Sequence, residues 1–390
     1  MLVGGLWPDK LGESLRLRAE PSMRVLLATP DYPPTRGGIQ LLLERLVHHS
    51  RFSYEVVTLG APRGSEDVLS PRDVTRTPRL GDQRLSVAVL NVATLGHALR
   101  WRPDAVLSGH VVAGPAALVV QRLLGVPAIQ YLYAQELNAR PGLTRLVTTR
   151  ARACIAISAH TRRQAEALGA PKDRLHLIHP GVDAPARRQP GRVTGETADG
   201  RPTIITVGRL EDRYKGFDVM IRALPLIRAR VPGARWVVVG DGSLRSEMQK
   251  TASSVGVSDC ITFAGALGDR PRDEWLGRAD VFAMPSRLMP EGGGGEGFGI
   301  AYLEAGAHGL PCVAGELGGS ADAVIDGQTG LTVDATDHVA VADAITELLL
   351  DRELRARLGE AGRERAARLS WARMAEQVDD LIERVLAARK

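Results

Sequence analysis

The sequence predicts an α/β protein built from two doubly wound domains that face each other across a cleft. Three observations lead there. Short apolar runs alternate with helix-length stretches along the whole chain, the pattern of buried, mostly parallel sheets covered by helices. One polar tract rich in Pro, Gly and Arg, PARRQPGRVTGETADGR at 185–201, breaks the alternation near the middle, after which it restarts. The length, 390 residues, is too great for one ordinary core and comfortable for two.

The elements follow in order. Residues 1–22 precede a second methionine, Met23, and read as an extension; they have no apolar stretch and carry Asp9, Lys10, Glu13 and Glu20, so they are not a signal peptide. The first domain, 23–184, opens with a strand at 24–29 (RVLLAT), a loop (PDYPPTRGG) and an apolar helix from Ile39. Further strands are expected at 55–59, 105–107, 128–133, 154–157 and 175–178, with helices at 114–124 and 160–168. Ser158 is placed to cap the latter, its hydroxyl accepting from a first-turn N–H. After the 185–201 linker, the second domain, 202–370, carries strands at 203–207, 235–239, 261–264, 281–284 and 312–314, and helices at 216–230, 243–255, 299–306 and 338–350. From Ser370, Trp371, Met374, Val378, Leu381 and Val385 recur at helical spacing, which predicts one long amphipathic helix over 371–390.

Composition narrows the function. Apolar residues make up 44% and charged residues 24%, ordinary for a soluble globular chain, and no apolar run approaches the roughly 18 residues that span a bilayer. The net charge of +5 rests on arginine and is scattered, without interleaved aromatics, so there is no nucleic-acid footprint. Cys154, Cys260 and Cys312 have no metal-ligand spacing and read as buried free thiols in a reducing compartment. No D-x-D string occurs. A metal site and a cofactor are therefore not expected.

Ligands of doubly wound sheets bind beyond the carboxyl ends of the strands, so the loops there decide the chemistry. GRLEDRYKG at 208–216 follows the first strand of the second domain. It places Arg209 and Lys215 beside a helix N-terminus, a setting for phosphate. The choice of Lys is informative in a chain whose only other lysines are Lys10, Lys172, Lys250 and Lys390. PEGGGGEGFGIAYLEAGAHGLP at 290–311 supplies a glycine-rich backbone that can approach a ligand closely, then Glu296, Gly297, Phe298, Gly299 and Ile300, and a helix that contains Glu304. About 7–8 Å of helix separates Gly299 from Glu304 at roughly 1.5 Å per residue. One carboxylate thus stands in the loop and one about a turn into the helix. The order matches a nucleotide-sugar: sugar hydroxyls, diphosphate at the helix terminus, ribose hydroxyls. Gly37 and Gly38, after the first strand, allow close approach across the cleft. VVVGDGS at 237–243 is not a dinucleotide fingerprint, because Arg245 stands where the third glycine belongs and the string follows the second strand of its domain. Gly240 and Gly242 remain candidates for donor contact.

The string EGFGIAYLE, Glu296 to Glu304, with GRLEDRYKG, resembles the retaining glycosyltransferases of family 4, of GT-B fold with two Rossmann-like domains; the likeness covers Met23 to the C-terminus. The tract from AMPSR to SADAV most resembles bacterial phosphatidylinositol-mannoside mannosyltransferases. The resemblance implies that Arg209 and Lys215 clamp the diphosphate, Glu304 binds the ribose, Glu296 binds the sugar hydroxyls, and the amides of Gly297 to Gly299 meet sugar or diphosphate. It also implies that the final helix crosses back to the first domain. Members usually carry a His in a string like HGxE; here the string is YAQE at 133–136, so Tyr133 takes that position, and His110 in SGHVVAGP is the histidine that can reach the cleft. The implied reaction is metal-independent, front-face transfer of a hexose from a UDP- or GDP-sugar to a small-molecule, glycan or lipid-linked hydroxyl. The expected setting is cytoplasmic with at most peripheral membrane contact. The competing readings are a nucleotide-sugar epimerase of the same fold and a non-catalytic nucleotide-sugar-binding paralogue. A phosphorylase would need a pyridoxal phosphate lysine, and none lies between Lys250 and Lys390.

Overall fold

The computed structural model describes residues 23–35, 37–61, 73–184, 200–290 and 294–388. The predicted extension, residues 185–199 of the predicted linker, and Gly292 and Gly293 lie outside them.

The first sheet contains β1 (Arg24–Thr29), β2 (Ser53–Leu59), β3 (Val74–Thr77), β4 (Ala105–Ser108), β5 (Ala128–Leu132), β6 (Ala153–Ala156) and β7 (Leu175–Leu177) in the order β3-β2-β1-β4-β5-β6-β7. Its helices are α1 (Gly38–His49), α2 (Gln83–Trp101), α3 (Gly114–Leu124), α4 (Ala134–Ala139), α5 (Pro141–Arg150) and α6 (Ala159–Ala167). The second sheet contains β8 (Thr203–Val207), β9 (Arg235–Val239), β10 (Ile261–Gly265), β11 (Val281–Met284), β12 (Cys312–Gly315) and β13 (Gly330–Val333) in the order β10-β9-β8-β11-β12-β13. Around it run α7 (Phe217–Arg230), α8 (Arg245–Val255), α9 (Asp269–Leu276), α10 (Ile300–Ala307), α11 (Ser320–Ala323), α12 (His338–Leu350), α13 (Arg352–Arg368) and α14 (Trp371–Ala387).

Every ladder between these strands is parallel. That explains the unbroken apolar runs: Val25 to Thr29 of β1 are all fully buried, because helices cover both faces. Each sheet reverses its winding once, between β1 and β4 and between β8 and β11. The loops leaving those strands therefore line two facing crevices. Ser158 caps α6 as expected, accepting from Thr161 N at 3.0 Å.

Trp371, Met374, Val378, Leu381 and Val385 are all buried, and α14 packs on α1 of the first domain. Buried Asp379 ties the two together, accepting from Ser50 Oγ at 2.7 Å and from Arg51 N at 2.9 Å. Where the chain crosses back, Val182 N donates to Leu369 O at 2.8 Å. Gly181 lies so close to Trp371 N that a Cβ would overlap it.

Candidate functional site

The second domain supplies a cationic loop and a carboxylate loop that meet. Gly216 has φ 75°, and a Cβ there would overlap Pro285 O, so only glycine closes this turn. The turn presents Lys215 toward the loop after β11, where Lys215 Nζ lies 3.7 Å from Glu296 Oε2 with each side chain only 12% exposed. That separation is an ion pair but not a hydrogen bond, and buried Glu296 Oε2 has no hydrogen-bond partner. A buried carboxylate oxygen without a donor is costly unless a ligand hydroxyl supplies one. Arg209, after β8, is more than half exposed and is braced by Asp212 at 3.2 Å. Gly240 and Gly242 sit beneath this loop, where a Cβ would overlap Gly208 O or crowd Leu210; the backbone bonds Gly208 N to Val239 O and Leu210 N to Asp241 O fix it. Their freedom from side chains therefore sets the position of Arg209.

The Glu296 loop is held from behind. Gly319 N donates to Glu296 O at 2.8 Å, and a Cβ on Gly319 would overlap Gly297 O. Gly299 caps α10 with φ 93°, beside the Tyr302 ring; no side chain caps that helix, and Tyr302 N turns back to Gly299 O at 3.0 Å. Phe298 does not face the cleft: it is 2% exposed and its ring packs on His179 at 5.2 Å between centroids. Its contribution is the backbone it anchors. Ile300 lies across from Gly38, whose Cβ position is 3.7 Å from Ile300 Cδ1, while Gly37 adopts an ordinary extended φ.

Glu304, on α10, is largely buried and meets Arg272 of α9 at 3.3 Å. Burial pushes its carboxyl up and Arg272 opposes that. Arg272 also binds Asp269 and Asp273, at 3.1 and 3.0 Å.

The first domain places His110, Glu136 and Asp31 at the ends of β4, β5 and β1. His110 Nδ1 lies 3.0 Å from Glu136 Oε2 and 3.2 Å from Val112 N. Burial pushes the imidazole down, but the Glu136 carboxylate overrides it and the net direction is up. The neutral ring accepts from Val112 N at Nδ1; on protonation Nδ1 donates to Glu136 instead. Glu136 further accepts from Tyr133 N at 3.1 Å and Val111 N at 3.0 Å, closing a capping box on α4. Asp31 accepts from Gln40 Nε2 at 3.0 Å; burial raises its carboxyl, and the charges it feels include His110, Glu136 and, from the other domain, Arg209. The Tyr133 side chain is placed in the core, 4% exposed, its ring stacked on Tyr131 at 5.7 Å and its hydroxyl without a partner. Burial drives that phenol well above its ordinary value.

The structure thus pairs Lys215 with Glu296 just before α10, places Glu304 farther along that helix against Arg272, and puts Arg209 within electrostatic reach of Asp31, which in turn acts on His110. Asp31, Glu136, Arg272 and Gly319 were not singled out from the sequence. PDYPP, YAQE and LGG were all visible, but only the folded neighbours give these residues a partner.

Two family models match the chain: Glycosyltransferase Family 4 over residues 36–184, and Glycosyl transferases group 1 over residues 191–365. A relative from Mycobacterium tuberculosis, GDP-mannose-dependent alpha-(1-6)-phosphatidylinositol monomannoside mannosyltransferase, is 33% identical over 390 residues, covering 94% of this chain and all of that one. The like-named Mycolicibacterium smegmatis protein is 35% identical over 375 residues, covering 90% and 97%. Among solved structures, sucrose-phosphate synthase from Thermosynechococcus elongatus superposes with a TM-score of 0.77 at 20% identity, covering 94% of this chain and 100% of that chain.

Proposed function

Because the chain belongs to glycosyltransferase family 4 and has its two-domain GT-B architecture, we propose that it moves a mannosyl residue from GDP-mannose, with retention, to a hydroxyl of a lipid-linked inositol glycoside. The donor and acceptor classes are those in the names of its relatives. The observation that carries the reading is the largely buried Lys215–Glu296 ion pair at the foot of α10, with Glu296 Oε2 lacking a hydrogen-bond donor.

In this reading Glu296 accepts from the hydroxyls of the transferred sugar. The diphosphate lies against Lys215, Arg209 and the first-turn N–H groups of α10. Glu304 accepts from the ribose. As the anomeric C–O bond breaks, negative charge grows on the leaving diphosphate, and the two cations stabilise it without reorganising. The acceptor hydroxyl attacks from the same face and its proton passes to a leaving phosphate oxygen, so charge and atoms balance. His110, fixed by Glu136, contacts the transferred sugar from the first domain, and Asp31 beside it meets the acceptor. Two protein cations at the diphosphate make a metal ion unnecessary, so EDTA leaves turnover intact; loss of turnover restored by a divalent ion would contradict this.

A thermal-shift panel of UDP-, GDP-, ADP- and TDP-sugars tests the donor. GDP-mannose is expected to raise the Tm most, and Glu296→Ala to abolish the increment from the sugar while keeping part of that from GDP. An unchanged response of that variant would remove the site assignment. Incubation of the donor alone separates an epimerase, which would interconvert GDP-sugars without acceptor.

A further inference from the structure

Glu296 and Lys215 stand on the second domain, and His110 and Asp31 on the first, so the spacing of these groups depends on contacts that cross the cleft. Several are apolar. The Cβ position of Gly297 is 3.2 Å from Ile157 Cδ1 and 3.8 Å from Ala134 Cβ, and the Phe298 ring lies on His179. Apolar contact is non-directional and tolerates sliding, whereas a hydrogen bond fixes both a distance and an angle. A charged hydrogen bond crosses at the same place. Asp322 of α11 accepts from the N–H of Ala159, the first residue of α6, at 3.0 Å. Both ends suit it. The first N–H groups of a helix have no partner within the helix, and Ser158 Oγ takes the one from Thr161. The carboxylate also stands at the positive end of the α6 dipole.

α11 is itself tied down on both sides. Just before it, Gly319 N holds Glu296 O at 2.8 Å, and Gly319 sits so close to Gly297 O that a Cβ would overlap it. At its far end, Arg365 of α13 donates to Asp322 O and, at 3.1 Å, to Ala323 O. The short run from Gly319 to Asp322 therefore joins the backbone of Glu296 directly to the start of α6, with no slack loop between them. α6 follows β6 of the sheet whose β4 and β1 lead into His110 and Asp31. Through this run the position of Glu296 is referred to the first sheet.

We propose that Asp322 is a positioning residue for transfer: its bond to α6 sets the distance between Glu296 and the His110–Asp31 edge of the first domain. Asp322 acts through Glu296 and α6 and touches no substrate. The kinetic arm of its test rests on the transferase reading; the structural arm does not. In the structural arm, spin labels on Arg84→Cys and Lys250→Cys of the full chain report the span across the cleft. Both positions are exposed, the native cysteines are buried, and α2 and α8 flank β3 and β10, the sheet edges opposite β7 and β13. With GDP bound, wild type is expected to give one narrow distance, Asp322→Ala a longer or broader one, and Asp322→Asn, whose amide oxygen still accepts, the wild-type distance. In the kinetic arm, Asp322→Ala loses about 10- to 100-fold in kcat, the cost of a misplacement on the order of 1 Å. GDP affinity stays within about twofold, because Lys215, Glu296 and Glu304 all lie on the second domain, and Asp322→Asn restores kcat to within about threefold of wild type.

Ala159→Pro reaches the same bond from the other side. Proline suits the first position of a helix, and extended Ser158 (φ −151°, ψ 160°) accepts a following proline, so α6 keeps its start. The ring carbon replaces the N–H and pushes against Asp322 Oδ1. The expected loss in kcat matches that of Asp322→Ala, and the combined variant falls no more than about twofold below the worse of the two. Distances unchanged in both Asp322→Ala and Ala159→Pro overturn the proposal. So do a kcat that survives a lengthened distance, equal losses in kcat and GDP affinity, failure of Asp322→Asn to restore either readout, or losses that multiply in the combined variant. A wild-type chain inactive on GDP-mannose would sink the transferase reading instead, and the distances would still decide whether Asp322 sets the domain spacing.

Discussion

Lys215→Met tests the proposed cation at the diphosphate. Methionine keeps an apolar stem beside Gly208 and removes the ammonium, together with its contact to the Tyr214 ring 5.5 Å away. Lys215 Nζ stands 3.7 Å from Glu296 Oε2 with 12% of each side chain exposed, so the charge acts in a partly desolvated setting. There a charge-assisted hydrogen bond is worth about 1.5–3 kcal/mol, and a preorganised group facing developing charge about 2.7–4 kcal/mol in the transition state. The second figure exceeds the first because the diphosphate gains charge as it leaves. The variant is therefore expected to lose about tenfold or more in GDP affinity and about 100- to 1,000-fold in kcat. Some folding stability is also lost, because Glu296 keeps a largely buried charge without its ion-pair partner, so the assay is run well below the variant's Tm. Steady-state release of GDP in the presence of acceptor measures kcat, titration calorimetry measures affinity, and the measured Tm controls for folding. A kcat within about threefold of wild type would refute the clamp.

Other residues give sharper contrasts. Arg272→Gln removes the cation that opposes the burial-raised carboxyl of Glu304; the carboxyl rises further, so GDP affinity falls as pH drops through that higher value and recovers above it. Asp269, Asp273 and Asp183 push the same way. Calorimetric GDP affinities at a series of pH values with parallel profiles for variant and wild type would remove this role. His110→Asn should lower kcat while leaving GDP affinity within about twofold, because His110 stands on the first domain beside Glu136 rather than at the diphosphate; equal losses in both would place it elsewhere. Gly319→Ala forces a Cβ into Gly297 O and is expected to cost tenfold or more in donor affinity by thermal shift with GDP-mannose. Asp379→Ala leaves Ser50 Oγ and Arg51 N without their acceptor and should destabilise by about 1–3 kcal/mol in denaturant titration, against about 0.5 kcal/mol or less for exposed Asp380→Ala.

Eleven of the thirteen strands among the described residues were legible because parallel sheets bury both faces, so that VLLAT and WVVV read as strands; the edge strands β3 and β13 were not, being short and only partly buried. α14 was legible from its apolar period. α2 was not: with Leu85, Val92 and Leu99 outside and Leu90 and Ala98 inside, it is apolar on two sides and shows no clean period. α13 was missed for the opposite reason. It is dense in arginine and packs through Gly359 and Gly362, which approach Gly309 and Gly306 of the α10 segment. Glu296, Glu304, Arg209 and Lys215 could be singled out as donor-site candidates because each stands just after a strand end or in the helix that follows; the structure pairs Lys215 with Glu296. In the first domain His110 was singled out from the sequence, but its neighbours Glu136 and Asp31 were not, because they follow other strands and only the fold joins them. The same distance in sequence hid Arg272 beside Glu304.

The most direct measurement is the anomeric configuration of the product. The chain would be incubated with GDP-mannose and a phosphatidylinositol monomannoside, and the new linkage read by NMR. The account predicts one added α-mannosyl residue, the configuration of the donor, in wild type and none in Glu296→Ala. A β-linked product, or turnover that survives in Glu296→Ala, would contradict it.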